Sequence, residues 1–277
     1  MTYSESRRPT RARAYLSLFR IRYINSLQYR AAAYAGVLTQ FAWGFMIILQ
    51  FGAFYRGGGE FPMEYSQLSS YTWLQQAFLA LFMSWFMDGE IFSLITGGNI
   101  AYELARPVDL YLMWFTKNAA LRCSRAVLRC IPILAVSFFL PAPYGLSLPV
   151  GFTAFFMFCI TMALALGVIV AFGMLVYIAT FYTMNPLGVR LLAATASDFF
   201  TGALIPLPFF PDWLRRIVEL SPFGSMQNLP LRIWCGHIAG AEMWRAVGLQ
   251  IFWLVALVAG GKLWMGAALK RVTVQGG

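Results

Sequence analysis

The sequence predicts an all-α, polytopic membrane protein with six transmembrane helices, and three observations carry that expectation. The chain is 60% hydrophobic and 17% aromatic but only 12% charged, about half the charge of an ordinary soluble domain, and its mean hydropathy is +0.65. Uncharged runs such as "AAAYAGVLTQFAWGFMIILQFGAFY", Ala31 to Tyr55, exceed the ~20 residues that cross ~30 Å of hydrocarbon. Lysines and arginines are concentrated on one side of those runs, the bias that orients membrane helices.

Residues 1–30 carry seven arginines. From Arg11 to Arg30, helical spacing puts Leu16, Phe19, Tyr23 and Leu27 on one face, with Arg20 at its edge, where it would snorkel. This is the pattern of a basic amphipathic helix lying on the cytoplasmic leaflet; the alternative is a disordered basic tail. The apolar run that follows is too long for a signal-peptide core and lacks a small-x-small cleavage site, so it reads as a retained span.

The expected spans are 31–54, 67–87, 118–140, 149–181, 188–205 and 245–266, forming a membrane domain from 31 to 266 with a cytoplasmic tail at 267–277. An even number puts both termini on one side. With the N-terminus inside, cytoplasmic segments hold sixteen Lys and Arg and external ones only five, which makes both termini cytoplasmic. Leu148 to Tyr182 is 35 residues without a charge and is long enough for one tilted helix or two short spans. Its middle has no Pro, Asn or Asp, and unpaired backbone is not tolerated facing lipid, so one helix is the expectation.

The connector between the second and third spans is "DGEIFSLITGGNIAYELARPVDL", Asp88 to Leu110, with four of the chain's eleven acids. Ile91, Phe92, Leu94 and Ile95 predict a short apolar helix that Gly97-Gly98 breaks. Asn99 is positioned to cap a second turn, which Pro107 ends by excluding helix from Arg106. Glu103 and Arg106 are three apart and therefore neighbours. On the outside, residues 205–236 begin with "IPLPFFPDWLRRIVELSPF". Pro206, Pro208 and Pro211 cannot continue a helix. Asp212 is then expected to N-cap a short amphipathic helix with Trp213, Leu214, Ile217 and Val218 on its apolar side, folded back at the outer interface.

Several chemistries are unsupported. The basic residues are scattered rather than forming a continuous footprint, so the net charge of +10 points to anionic lipid headgroups and not to nucleic acid. The four cysteines have no CxxC spacing, and His237 is the only histidine, so no metal site is expected. "VAGGKLWMG" has Ala256 where a phosphate loop needs its first glycine and Leu263 where it needs Ser or Thr. No nucleotide site or catalytic set is expected in this chain. Ionisable residues within spans remain as candidates for a substrate path, since each is costly there unless paired or wetted. Arg122, Arg125 and Arg129 share one face of the third span, where the alternatives are a wet cavity that grips an anion and snorkelling to lipid phosphate. Snorkelling suits Arg122, and Arg125 and Arg129 are the path candidates. Asp198, expected near the middle of the fifth span, is the only acid within a span; its alternative role is an ion pair with a neighbouring arginine.

Taken together, the basic N-terminal helix followed by "YRAAAYAGVLTQ", "GGNIAYELARPVDLYL" after the second span and "IPLPFFPDWLRRIVELSPF" before the last resemble the permease subunits of type 2 ATP-binding-cassette (ABC) exporters, in a six-span bacterial subfamily. The resemblance covers nearly the whole chain. It implies a multi-pass protein of the bacterial inner membrane, with Ile91 to Arg106 as a coupling helix that docks on a separate ABC ATPase through Ile91, Phe92, Asn99, Tyr102, Glu103 and Arg106. It also implies that Mg-ATP is bound by that ATPase and not by this chain, that residues 205–224 form an outer re-entrant element, and that the second permease is a different chain, with a homodimer as the alternative. The competing reading is a partner-independent channel or secondary transporter, which would normally show inverted repeats and matching broken helices; neither is evident. An aromatic, largely neutral interior favours an amphipathic or lipid-like substrate.

Overall fold

The computed structural model describes residues 11–28 and 30–271; most of the expected tail at 267–277 and the first residues of the basic segment lie outside them. Among the described residues there are only helices and their connections. In chain order these are α1 (Arg11–Ser26), α2 (Arg30–Arg56), α3 (Tyr65–Ala77), α4 (Leu79–Phe82), α5 (Gly89–Thr96), α6 (Ile100–Leu104), α7 (Leu110–Phe139), α8 (Phe152–Thr183), α9 (Pro186–Phe200), a 3-10 turn (Leu207–Phe209), α10 (Asp212–Leu220), α11 (Asn228–Trp234) and α12 (Gly240–Leu269).

Three segments are long and apolar enough to cross a membrane: Tyr34–Arg56 within α2, α8, and α12. The uncharged run after Leu148 folds as the single 32-residue α8, about 48 Å long at 1.5 Å per residue. It is the hub of the molecule, packing against α12, α11, α7, α9 and α5.

The other three expected spans are built differently, each for a local reason. In place of one helix over 67–87, α3 stops at Ala77 and α4 at Phe82, and the chain then runs irregularly to Asp88. α3 is too polar for a lipid-facing span, and Ser69, Ser70, Thr72, Gln75 and Gln76 are all buried in it. The three hydroxyls bond back to carbonyls one turn earlier, and Gln75 donates to the Ala203 carbonyl at 2.8 Å. The third helix, α7, begins at Leu110 because Asp109 caps it, accepting from the Leu112 N–H at 2.8 Å. It therefore carries Lys117, Arg122, Arg125 and Arg129 along one continuous rod. The fifth, α9, has 15 residues, about 22 Å, short of the ~30 Å of a full crossing. Asn185 caps its start by accepting from the Gly188 N–H. Its end is set by Gly202, whose φ of +79° suits glycine and where a Cβ would lie 2.5 Å from Leu207 Cδ1.

α1 packs along α7, and its inward face differs from the expected stripe. Tyr15 and Leu18 pack against the core shared by α5, α7 and α8, and Arg22 turns inward to carboxylates at 88 and 90. Leu16 is 69% exposed. The charge contact at Arg22 sets the rotation, so Leu16 lies on the opposite side while Phe19 and Tyr23 are half-buried and stacked on each other.

Candidate functional site

The connector from Asp88 to Asp109 is locked to the helices around it at both ends. Asp88 caps α5 by accepting from the Glu90 N–H at 3.0 Å and also takes Arg22 at 2.6 Å, while Glu90 takes the same guanidinium at 2.8 Å. The Asp88 N–H donates to the Tyr177 hydroxyl at 2.6 Å, and that hydroxyl donates to Asn118 at 3.0 Å. At the far end the Tyr15 hydroxyl accepts from the Asp109 N–H at 3.1 Å. Ile91 and Phe92 are buried beneath α5, with the Phe92 ring 4.7 Å from that of Tyr177.

Gly98, at φ +70°, makes the break between α5 and α6. Asn99 occupies the N-cap position of α6, but its side chain makes no capping bond. Glu103 is 4% exposed. It accepts from Lys117 Nζ at 3.0 Å and from Trp114 Nε1 at 3.1 Å, and Arg106 lies 3.4 Å away. Burial pushes its carboxyl up, but the bonds from Lys117 and Trp114 and the charges of Lys117 and Arg106 outweigh that and hold it below its ordinary value. The six residues expected to face a partner thus divide. Ile91, Phe92 and Glu103 point into the chain, whereas Asn99, Tyr102 and Arg106 are exposed, Tyr102 at 76%.

The three arginines of α7 also divide. Arg122 is 2% exposed and donates through Nη1 to the carbonyls of Leu81 and Met83, at 2.8 and 2.9 Å. This corrects the snorkelling expectation. The chain unwinds after α4 inside the protein, its last carbonyls lack helical partners, and Arg122 supplies them. Arg125 and Arg129 instead stack on Phe86, 5.4 and 5.5 Å from the ring centroid, and line a cavity of about 820 Å³ between α1, the 86–89 segment and α7. Asp198 is not part of that cavity. It sits two residues before the end of α9 rather than mid-span, half-buried, with no Lys or Arg within ion-pair distance among the described residues.

Beyond α9 the chain turns back, and Phe210 packs on Phe199, 5.4 Å between centroids. Pro206 and Pro208 are buried and Pro211 is exposed. Pro211, not Asp212, is the N-cap of α10. Asp212 is the first helical residue, and its carboxylate pairs with Arg215 at 2.6 Å, a contact available one turn on that competes with capping. Leu214 and Val218 pack on Leu207, Phe210 and Phe200, leaving Trp213, Ile217 and Leu220 exposed on the chain. Arg232 of α11 pairs with Glu219. Nearby, burial and then the charges of Arg232 and Arg215 push the His237 imidazole down to about 4, against the opposing effect of Glu219. The folded imidazole therefore stays neutral while an unfolded one, near ~6.5, takes up a proton. Stability of this loop is expected to be full above ~6.5 and to fall as pH drops from there toward 4. A histidine NMR titration with a midpoint near 6.5 would contradict this.

Residues 41–276 match the family model of the ABC-2 family transporter protein. The chain belongs to that family. It is an ABC transporter permease, a membrane transport component that is not itself catalytic, in a family that typically works with an ATPase partner. The match begins inside α2 and leaves α1 outside it. A comparison with curated proteins finds no match.

Sequence reasoning missed several residues of the permease. Arg22 lies with Tyr15 and Leu18 at spacings of three and four, so its face was readable once Tyr15 was counted as apolar. Lys117 and Tyr177 carried no local signal, because their partners come from other helices.

Proposed function

We propose that this permease is the non-hydrolytic membrane half of an ATP-driven exporter in the bacterial inner membrane, with both termini cytoplasmic. It works with a separate ABC ATPase and a second permease, and residues 88–110 transmit the movement of the ATPase. Arg125, Arg129 and Asp198 are the substrate-path candidates, and residues 205–224 the outer re-entrant element.

The observation that supports this best is how the connector is held. Its inner side is tied to α1, α7 and α8 through Arg22–Asp88, Asp88–Tyr177 and Glu103–Lys117, while Asn99, Tyr102, Leu104 and Arg106 are left exposed. A segment fixed to long helices on one side and open on the other moves those helices when it is pushed. The contact surface of such a lever is Tyr102 and Arg106, with Ile91, Phe92 and Glu103 as its internal bracing. Tyr102→Ala and Arg106→Gln are therefore expected to lower co-purification of the ATPase by about tenfold, roughly 1.4 kcal/mol, with membrane insertion kept and thermal stability little changed, since Glu103 keeps Lys117. Unchanged co-purification and unchanged substrate-stimulated hydrolysis in both variants would leave 88–110 as a plain connector.

A further inference from the structure

We propose that the cavity between α1, Phe86 and α7 binds the phosphate headgroup of an anionic amphiphile, with Arg125 and Arg129 as the paired phosphate donors. The proposal deepens the substrate-path reading of Arg125 and Arg129, on which it rests, by naming the chemistry they take, and it is independent of coupling to an ATPase.

The charges around the cavity do not balance. Its lining includes three guanidiniums, Arg22, Arg125 and Arg129, and one carboxylate, Asp88. The charge of Arg22 is already balanced by Asp88 and Glu90 through Nη2, although its Nε has no partner. Arg125 and Arg129 have no carboxylate within 4 Å among the described residues, and Phe86 supplies only the face of its ring. Two like charges one helical turn apart repel each other, and partial burial makes both dependent on a counter-charge or on water. Arg129 Nε has no partner, and neither does either amide atom of Gln40, which is 2% exposed. Gln40 lies one turn beyond Gly36, where an added Cβ would come within 2.9 Å of the Arg129 guanidinium.

Phosphate fits that requirement because a planar guanidinium presents parallel N–H donors to its oxygens. A lipid headgroup fits better than free phosphate for two reasons. The volume of about 820 Å³ falls in the ~300–1,000 Å³ range of sites for much larger ligands. The α1 side of the cavity is polar, with Asn25 and Ser26, but the opposite wall carries Phe86, Met87, Leu121 and Leu128, so an acyl or other apolar tail has one surface to follow.

The test uses the full-length permease purified in a neutral detergent, with bound lipid counted by native mass spectrometry. Phosphatidic acid is expected to be retained at least tenfold more than phosphatidylcholine of the same acyl chains. Combined Arg125→Gln and Arg129→Gln should abolish that preference, while Arg190→Gln on α9 should not alter it. Inorganic phosphate at equal concentration should compete poorly. Equal retention of the two lipids, or a preference that survives in the double variant, would overturn the proposal, and effective competition by inorganic phosphate would overturn the lipid assignment. If the double variant is not recovered folded, the comparison of the three probes on the unaltered protein decides. None of these readouts involves ATP, so failure here is distinct from failure of the coupling reading.

Discussion

Glu103→Ala is expected to destabilise the permease by about 3–5 kcal/mol and to lower its yield sharply, the usual effect of removing one partner of a buried pair. Lys117 is 8% exposed at its side chain and Glu103 5%, so the ammonium would be left buried with no carboxylate. Trp114 would lose the acceptor for its indole N–H as well. Glu103→Lys should be worse, since it places two cations where one was paired. This separates bracing from docking. A residue that only touched a partner would lose ATPase association while keeping its melting temperature, whereas Glu103 should lose both. The double change Glu103→Met with Lys117→Met removes both charges and should recover much of the stability, because an apolar pair of similar volume replaces a buried ion pair at little cost. Thermal unfolding in detergent checks each step. A Glu103→Ala variant that melts with the unaltered protein would mean that the pair is solvated.

These expectations differ from those drawn from spacing alone, and the difference shows what the sequence carries. The membrane character, the α5–break–α6 pattern of 88–104, the turn-back after the fifth helix and the single long α8 were all readable, because each depends on local rules: uncharged length, a Gly-Gly break, consecutive prolines. The side chains' partners were not. Glu103 and Arg106 are neighbours by spacing, and they do lie 3.4 Å apart, but the contact that buries Glu103 comes from Lys117, on another helix. Asp212 has the chemistry of a cap, yet Pro211 holds the cap position and Arg215 takes the carboxylate. Helix ends erred where the break was itself tertiary. α3 and α4 stop short because their polar residues and free carbonyls find partners on α7 and beyond α9, which no window along one segment can register. Arg125 and Arg129 were legible as candidates because charge is rare in this chain, but the cavity beside them required α1 to be placed first.

Arg122→Met should cost more stability than either Arg125→Met or Arg129→Met, reversing the order that depth along the third span suggests. The argument is one of unmet demand. α4 ends at Phe82, and the carbonyls of Leu81 and Met83 both accept from Arg122 Nη1, Met83 also from the Phe86 N–H at 3.3 Å, in surroundings where the arginine is 2% exposed. Removing the donor strands the Leu81 carbonyl and leaves Met83 with only its backbone bond, and since a buried polar group left unsatisfied costs about 1–3 kcal/mol, a loss of that size follows. Methionine fills much of the volume, which keeps the cavity contribution small and leaves the lost hydrogen bonds as the main effect. Arg125 and Arg129 donate to no backbone carbonyl that would be orphaned; replacing them removes a repulsive pair as well as two contacts with Phe86. Their variants should melt near the unaltered protein while losing whatever anion the cavity holds. Arg122→Lys retains a donor but not its reach to two carbonyls at once, and should fall between Arg122→Met and the unaltered protein. Hydrogen exchange over 79–88 gives the local readout, with faster exchange expected in Arg122→Met and no change in Arg129→Met. Equal exchange and equal melting in all three arginine variants would mean that the irregular segment after α4 is held by something other than Arg122.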